Sequence, residues 1–348
     1  MSALAEAVTS ATNRALPPKA NATARTGNVL PEGQAGDWRE TEGRGFGGSW
    51  GGGGIGCDPS HPGGWKGGAL RESRSPHLGK LIMLRILFLG DIVGEPGRKA
   101  VISRLPELRK EREIDFIIAN GENAAGGRGI TPKISIDLLR SGIAVITLGD
   151  HAWDQHEIVP YMDTEPRLLR PINYPEGTPG VGSIVLETAK GKVGVINAQG
   201  RTFMQPPLEN PFTIVAEEAA RLREEEGATV VFVDFHAETT SETIALGRCL
   251  DGQVSALVGT HTHVQTADEQ VFPGGTAFLC DAGMCGPLVS VLGRQVEPIV
   301  ERFQTSLPRR FPVAKGPVGL RGAIVDVDEA SGKAQAIERY AEDLTPEA

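Results

Sequence analysis

The sequence predicts a mixed α/β sandwich, and three observations carry that reading. Apolar runs of roughly three to six residues recur at Ile86–Leu89, Phe116–Ala119, Ala144–Leu148, Val193–Ile196, Val230–Phe235 and Ala256–Val258. Helical patterns lie between several of them, at Arg98–Arg112, Pro132–Arg140 and Phe212–Glu226. Short continuous apolar strands alternating with helices describe a sheet covered on both faces. Other strands follow one another with no helix between. Ser183–Glu187 against Lys192–Asn197 reads as a hairpin, and Gly322–Val327 against Ala334–Tyr340 reads as another, turned at Glu329–Gly332. Hairpins do not fit a purely parallel sheet.

Composition changes near residue 82. Half of residues 43–68 are glycine, and Trp50-Gly51-Gly52-Gly53-Gly54 is low-complexity. Such a segment buries too little apolar surface to offset chain entropy, so residues 1–82 read as a disordered Gly-rich extension. Met83 directly precedes the first apolar run. It is therefore a candidate initiator, with residues 1–82 a mis-assigned start. The folded domain is expected over residues 83–343.

The balance is mildly acidic, 44 Asp+Glu against 35 Lys+Arg with a net charge of -9, which argues against broad nucleic-acid binding. The four cysteines, Cys57, Cys249, Cys280 and Cys285, have no zinc-type spacing and suggest no disulfide framework. No apolar run approaches the ~20 residues of a membrane span. The expectation is a soluble cytoplasmic protein.

Each main apolar run ends in residues able to bind metal. These are Gly90-Asp91, Gly121-Glu122-Asn123, Gly149-Asp150-His151, His236-Ala237-Glu238 and Gly259-Thr260-His261-Thr262-His263. Ligands of α/β sheets sit beyond the carboxyl ends of strands. If the strand continues through His261 and His263, both side chains point to one side. One strand-end Asp is ordinarily a cap or turn former, but five mixed carboxylate and imidazole groups in register call for a two-metal site. Glu122, with the longer arm, is the candidate bridge. Asp91 and His263 complete one ion, and Asp150, His236 and His261 the other. Mixed N/O ligands point to iron, manganese or zinc over magnesium or calcium. Glycine just before a ligand, as at Gly90, Gly121 and Gly149, is expected to let the backbone turn beneath an ion.

These motifs resemble the calcineurin-like metallophosphoesterases, in particular their YmdB-like branch, across nearly all of Met83–Tyr340. Gly90-Asp91-Ile92-Val93-Gly94, Asn120–Asn123, Gly200-Arg201-Thr202-Phe203-Met204, Gly259–His263, Thr266–Glu269 and Gly283-Met284 carry the resemblance. Val93 where the broad superfamily has histidine, and Glu122 where it has Asp, are both typical of that branch. The resemblance implies a metallophosphoesterase sandwich of mixed β-sheets flanked by helices. It also implies a phosphodiesterase acting on 2′,3′-cyclic nucleotides through two transition-metal ions and a bridging hydroxide, iron first and manganese as the alternative.

His151, beside a ligand but on the opposite side of the chain, is the candidate acid for the leaving oxygen. Its counterpart in the family acts in catalysis. Asn123 is expected to orient substrate or metal-bound water, or to form a turn, and Arg201 to contact phosphate or form a structural ion pair. Gly126-Gly127-Arg128-Gly129 matches no Walker spacing and reads as a flexible connection; His156 reads as a surface residue. Asp150 replaces the family's Asn. With two divalent ions, three carboxylates and a hydroxide the centre is about neutral, whereas Asn would leave it at about +1; a partly oxidised iron pair restores the positive charge. The rival readings are a regulatory or RNA-associated protein with a structural metal site, and a phosphomonoesterase or nuclease on the same fold. Relatives suggest a homo-oligomer.

Overall fold

The computed structural model describes residues 82–344. Except for Ile82, the expected Gly-rich extension lies outside these residues. In chain order the elements are β1 (Met83–Leu89), β2 (Asp91–Ile92), α1 (Gly94–Glu111), β3 (Phe116–Asn120), α2 (Pro132–Arg140), β4 (Val145–Thr147), α3 (Ile158–Met162) and β5 (Leu168–Leu169). There follow β6 (Ser183–Thr188), β7 (Gly191–Gln199), α4 (Pro211–Glu224), β8 (Val230–His236), α5 (Thr240–Cys249) and β9 (Ala256–Thr260). The last are β10 (Gln270–Val271), β11 (Ala277–Leu279), β12 (Met284–Pro287), α6 (Val296–Thr305), β13 (Val318–Asp328) and β14 (Ala334–Leu344).

Two sheets form. One has eight strands in the order β2-β12-β13-β1-β3-β4-β5, with β14 along β13; the other has six, β10-β11-β9-β8-β7-β6. Both are mixed. β1 runs parallel to β3 and antiparallel to β13, while β7, β8 and β9 run parallel beside the antiparallel β6–β7 hairpin. Both hairpins read from the sequence are present, β6–β7 and β13–β14.

Alternation of side chains builds the layers. Leu84, Ile86 and Phe88 of β1 face Val193, Val195, Val230 and Phe232 between the sheets, with the Phe88 and Phe232 rings 5.1 Å apart. The intervening residues Leu87 and Leu89 pack outward on Val101, Leu105 and Leu108 of α1 and Leu138 of α2. Val231, Val233 and Phe235 pack outward on Val215 and Leu222 of α4 and Leu246 of α5. Each such buried side chain stabilises the fold by ~1.5–3 kcal/mol. Local signals set the helix starts. Thr131 caps α2 by accepting from the Ile134 N–H, Asn210 caps α4 from the Phe212 N–H, and both helices carry proline in their first turn.

The inward-facing row changes character at the strand ends. Asn120, Thr147, Asn197, Gln199, Asp234, His236 and Thr260 are all buried there, continuing the rows of Ile118, Val145, Val195, Phe232 and Val258. A polar floor thus lies beneath the carboxyl edge of both sheets.

Candidate active site

The five strand-end segments converge on this floor. Asp91 opens β2, and its N–H bonds the Gly283 carbonyl at 3.1 Å where β2 runs beside β12. Glu122 follows β3, and its N–H bonds the Asn120 side chain at 3.1 Å. Asp150 follows β4, His236 ends β8, and His261 and His263 follow β9.

Glu122, Asp150, His236 and His261 bring one ligand atom each to within 4.8 Å of one another. His236 Nε2 lies 3.2 Å from Glu122 Oε1 and 3.1 Å from Asp150 Oδ1. His261 Nδ1 lies 3.0 Å from His236 Nε2 and 3.4 Å from Asp150 Oδ1. On the other flank His263 Nε2 stands 3.6 Å from Asp91 Oδ1. The Asn123 amide sits between the flanks, 3.3 Å from Asp91, 3.0 Å from Glu122 Oε1 and 3.2 Å from His263. All six expected ligands therefore lie on one floor, with Glu122 in contact with the His236 flank directly and joined to the Asp91–His263 flank through the Asn123 amide. Acceptor atoms facing acceptor atoms in a buried pocket make a donor set suited to cations.

Electrostatics reflect the crowding. Burial pushes the Asp91 carboxyl up. Burial also opposes ionisation of Asp150, yet hydrogen bonds from His236 and His261 hold it well below the usual carboxylate range. Burial disfavours the His236 imidazolium, but Glu122 and Asp150 raise its pKa well above the ordinary value. His263, with burial as the first cause, is lowered to about 4.

Two details differ from the sequence reading. β9 stops at Thr260, so His261 and His263 do not alternate along a strand. Both have positive φ, 106° and 64°, which is strained for residues other than glycine. Asp91 Oδ2 accepts the His261 N–H at 3.1 Å, and Asp281 accepts both the N–H and the hydroxyl of Thr262. A clamped loop, not pleating, aims the two rings. The glycines before the ligands also act otherwise than expected. Gly90, Gly149 and Gly259 are not among the residues with positive φ; they are places of close approach. A Cβ at Gly149 would stand 2.2 Å from His236 Cδ2 and 2.3 Å from Glu122 Oε2, and one at Gly259 1.8 Å from the Cys280 carbonyl.

His151 sits at the rim, its N–H bonded to Glu122 Oε2 at 3.2 Å and its Nδ1 3.1 Å from Asp154 Oδ2. Asp154 also accepts from Arg128 Nε at 2.8 Å. The Gly126–Gly129 loop is no loose connection: Arg294 donates to the Gly126 and Gly127 carbonyls, and Ala125 N–H closes onto Gly129. Arg201 is exposed beside His236, since Gly200 N–H bonds the His236 carbonyl; Glu242 holds its backbone N–H, and its side chain makes no ion pair among the described residues. His156 is exposed, as read, while Cys280 and Cys285 are buried.

Three acidic residues with site contacts, Asp154, Asp234 and Asp281, carry no expected role from the sequence, and Glu238, in a segment read as able to bind metal, is assigned no ion there. Glu238 lies 3.0 Å from His261 Nε2, and Asp154, Asp234 and Asp281 support other site residues. Asp234 alone left a signal, a charge interrupting the buried run Val230–Phe235. Clefts of about 550 and 820 Å³ lie at the opposite strand ends, lined by Arg109, Asp115 and Lys190, and hold none of the candidate ligands.

Residues 87–340 match the model of a family described as YmdB-like protein. The chain is 49% identical over 260 residues to a 2′,3′-cyclic-nucleotide 2′-phosphodiesterase of Bacillus subtilis, covering 74% of this chain and 96% of the relative. A crystal structure of a hypothetical protein from Thermus thermophilus superposes with a TM-score of 0.69 at 41% identity, over 75% of this chain and 99% of that one. One of a novel phosphatase from Mycoplasma pneumoniae superposes with a TM-score of 0.72 at 33% identity, over 76% and 96% respectively. With the strand-end ligands gathered on this fold and the match spanning most of its length, the chain belongs to the YmdB-like family.

Proposed function

We propose that this protein is a metal-dependent phosphodiesterase that hydrolyses 2′,3′-cyclic nucleotides. The observation that carries the proposal is the convergence of two candidate ligand groups, Asp91 with His263 and Asp150 with His236 and His261, with Glu122 against the second and joined to the first through Asn123. Each group would hold one transition-metal ion, iron first and manganese as the alternative, with Glu122 shared. Bound there, the pair would supply an activated water and neutralise charge on the phosphoryl oxygens.

The chain's own residues do the rest. Asp154 engages His151 Nδ1, leaving Nε2 to carry the proton for the leaving ribose oxygen. The Asn123 amide orients substrate at the junction of the two flanks, and the exposed Arg201 guanidinium meets the phosphate. Asp150 adds a negative charge that a partly ferric pair would offset; two divalent manganese ions and no iron in the active enzyme, by elemental analysis and EPR, would remove that part.

Turnover of 2′,3′-cyclic AMP by the full chain loaded with iron or manganese tests the reading. Hydrolysis to a nucleoside monophosphate is expected. Binding of metal with no turnover on any loading would favour the structural-metal alternative.

Self-association and a cytoplasmic location belong to the same proposal. Val296, Val300 and Phe303 are exposed at i, i+4 and i+7 on α6, an apolar face suited to a second copy. No helix among the described residues is long and apolar enough to cross a membrane. Light scattering on the eluting protein reads the oligomer, and a monomeric mass would remove it.

A further inference from the structure

We infer that Asp234 is a positioning residue that sets Glu122 and His236 in register through Asn120 and Thr260. The inference rests on the proposed function.

Asp234 is fully buried between the sheets, two residues along β8 from the Phe232 that packs on Phe88 and on the same face. Its carboxylate accepts from Thr147 Oγ1 at 2.5 Å, Thr260 Oγ1 at 2.7 Å and Asn120 Nδ2 at 3.2 Å. Asn120 and Thr147 belong to the eight-stranded sheet; Asp234 and Thr260 belong to the six-stranded one. Removing a carboxylate from water is costly, and an apolar side chain would join two sheets at less cost. What the carboxylate adds is direction.

An amide that gives its Nδ2 protons to Asp234 must turn its Oδ1 the other way. Asn120 Oδ1 does so, and accepts the Glu122 N–H at 3.1 Å. A hydroxyl that donates to a carboxylate is left as an acceptor. Thr260 Oγ1 lies 2.9 Å from His236 Nδ1, so the network assigns the proton to Nδ1. Nε2 is then the nitrogen that gives up its proton when a cation binds, and its lone pair would face Glu122 and Asp150, where a cation would need it. One buried carboxylate thus orients a carboxylate on one sheet and an imidazole on the other. Thr260 is also peptide-bonded to His261, which brings the third ligand under the same control.

A mere tie between sheets would affect stability but not metal binding. Mn²⁺ titration of the chelator-stripped full chain, read by loss of the free-ion EPR signal, separates these, with the melting temperature of the metal-free protein as the control. Thr260→Val keeps the shape and removes the hydroxyl; it is expected to raise the Mn²⁺ Kd roughly 10–100-fold, whereas Thr260→Ser stays within about twofold of wild type. Asp234→Asn puts a donor against the Asn120 amide and is expected to weaken Mn²⁺ in the same direction; it decides by the same readout should Thr260→Val fail to fold. Wild-type affinity in both variants, whatever their melting temperatures, overturns this inference alone. Absence of Mn²⁺ binding by the wild type overturns the proposed function and this inference together.

Discussion

Asp281 accepts two hydrogen bonds from Thr262, from the backbone N–H at 2.9 Å and from the hydroxyl at 2.8 Å. Thr262 lies between His261 and His263, both at positive φ, so this clamp holds the only strained backbone among the candidate ligands. Asp281→Ala frees the loop to relax. Metal affinity is expected to fall by roughly 10–100-fold, the usual range for a partner that orients a ligand. Mn²⁺ titration of the variant checks this, and unchanged affinity would show that the loop keeps its form without the clamp.

His151 and Asp154 form a pair at the rim, 3.1 Å apart. A positioned general acid contributes about 10²–10⁴-fold, so His151→Ala is expected to lower kcat by that order with little change in metal content. Asp154→Asn keeps the His151 ring but replaces the charged acceptor at its Nδ1 with a neutral amide, and a smaller loss in the same direction is expected. Steady-state kinetics on 2′,3′-cyclic AMP beside metal analysis would measure both. Full turnover in His151→Ala would remove it as the acid.

Gly149 has no room for a methyl group, because His236 and Glu122 pack on its Cα. Gly149→Ala must push two candidate ligands apart. Overpacking of this kind costs typically ~1–3 kcal/mol, and the displaced atoms are those of the site. Loss of Mn²⁺ binding with only a modest fall in melting temperature is expected; calorimetry and titration of one preparation would show whether the two separate.

Buried carboxyls make the metal-free protein sensitive to alkali. Burial pushes Asp234 up to about 6 and Asp281 up to about 7, and it raises Asp91 as well. A group whose pKa is higher in the folded chain stabilises that chain while protonated, and the contribution is lost as pH rises through the folded value. His263, lowered to about 4, works in the opposite sense only below its unfolded value near 6.5. From about pH 6.5 to about pH 8, as Asp281 and then the raised His236 and His261 lose their protons, the metal-free melting temperature is therefore expected to fall. Added Mn²⁺ should flatten or reverse the trend, since cations favour the ionised carboxylates. A metal-free melting temperature that rises over this window would contradict the assignment.

Much of this could be read before any fold was known. α2 coincides with its expected span because Thr131 and Pro132 mark its start and its apolar residues keep the helical period. The hairpins and the apolar runs of β1, β3, β8 and β9 were legible for the same local reason. β2 and β5, with two residues each, carry too little pattern to be seen, and α6 leaves only Ile299 buried. The histidines after β9 were assigned to the site for a geometric reason that does not hold: the strand ends first, and a loop aims them.

By itself the sequence determined the mixed sandwich and the residue types at its carboxyl edge, because burial period and strand-end position are local properties. Tertiary structure alone decided which acids support which ligands: Asp234 through Thr260 and Asn120, Asp281 through Thr262, Glu238 on His261. Asp234 and Asn120 stand 114 positions apart and meet only because two sheets pack face to face. A hydrogen bond of that kind depends on which strands become neighbours, and no spacing along the chain records it.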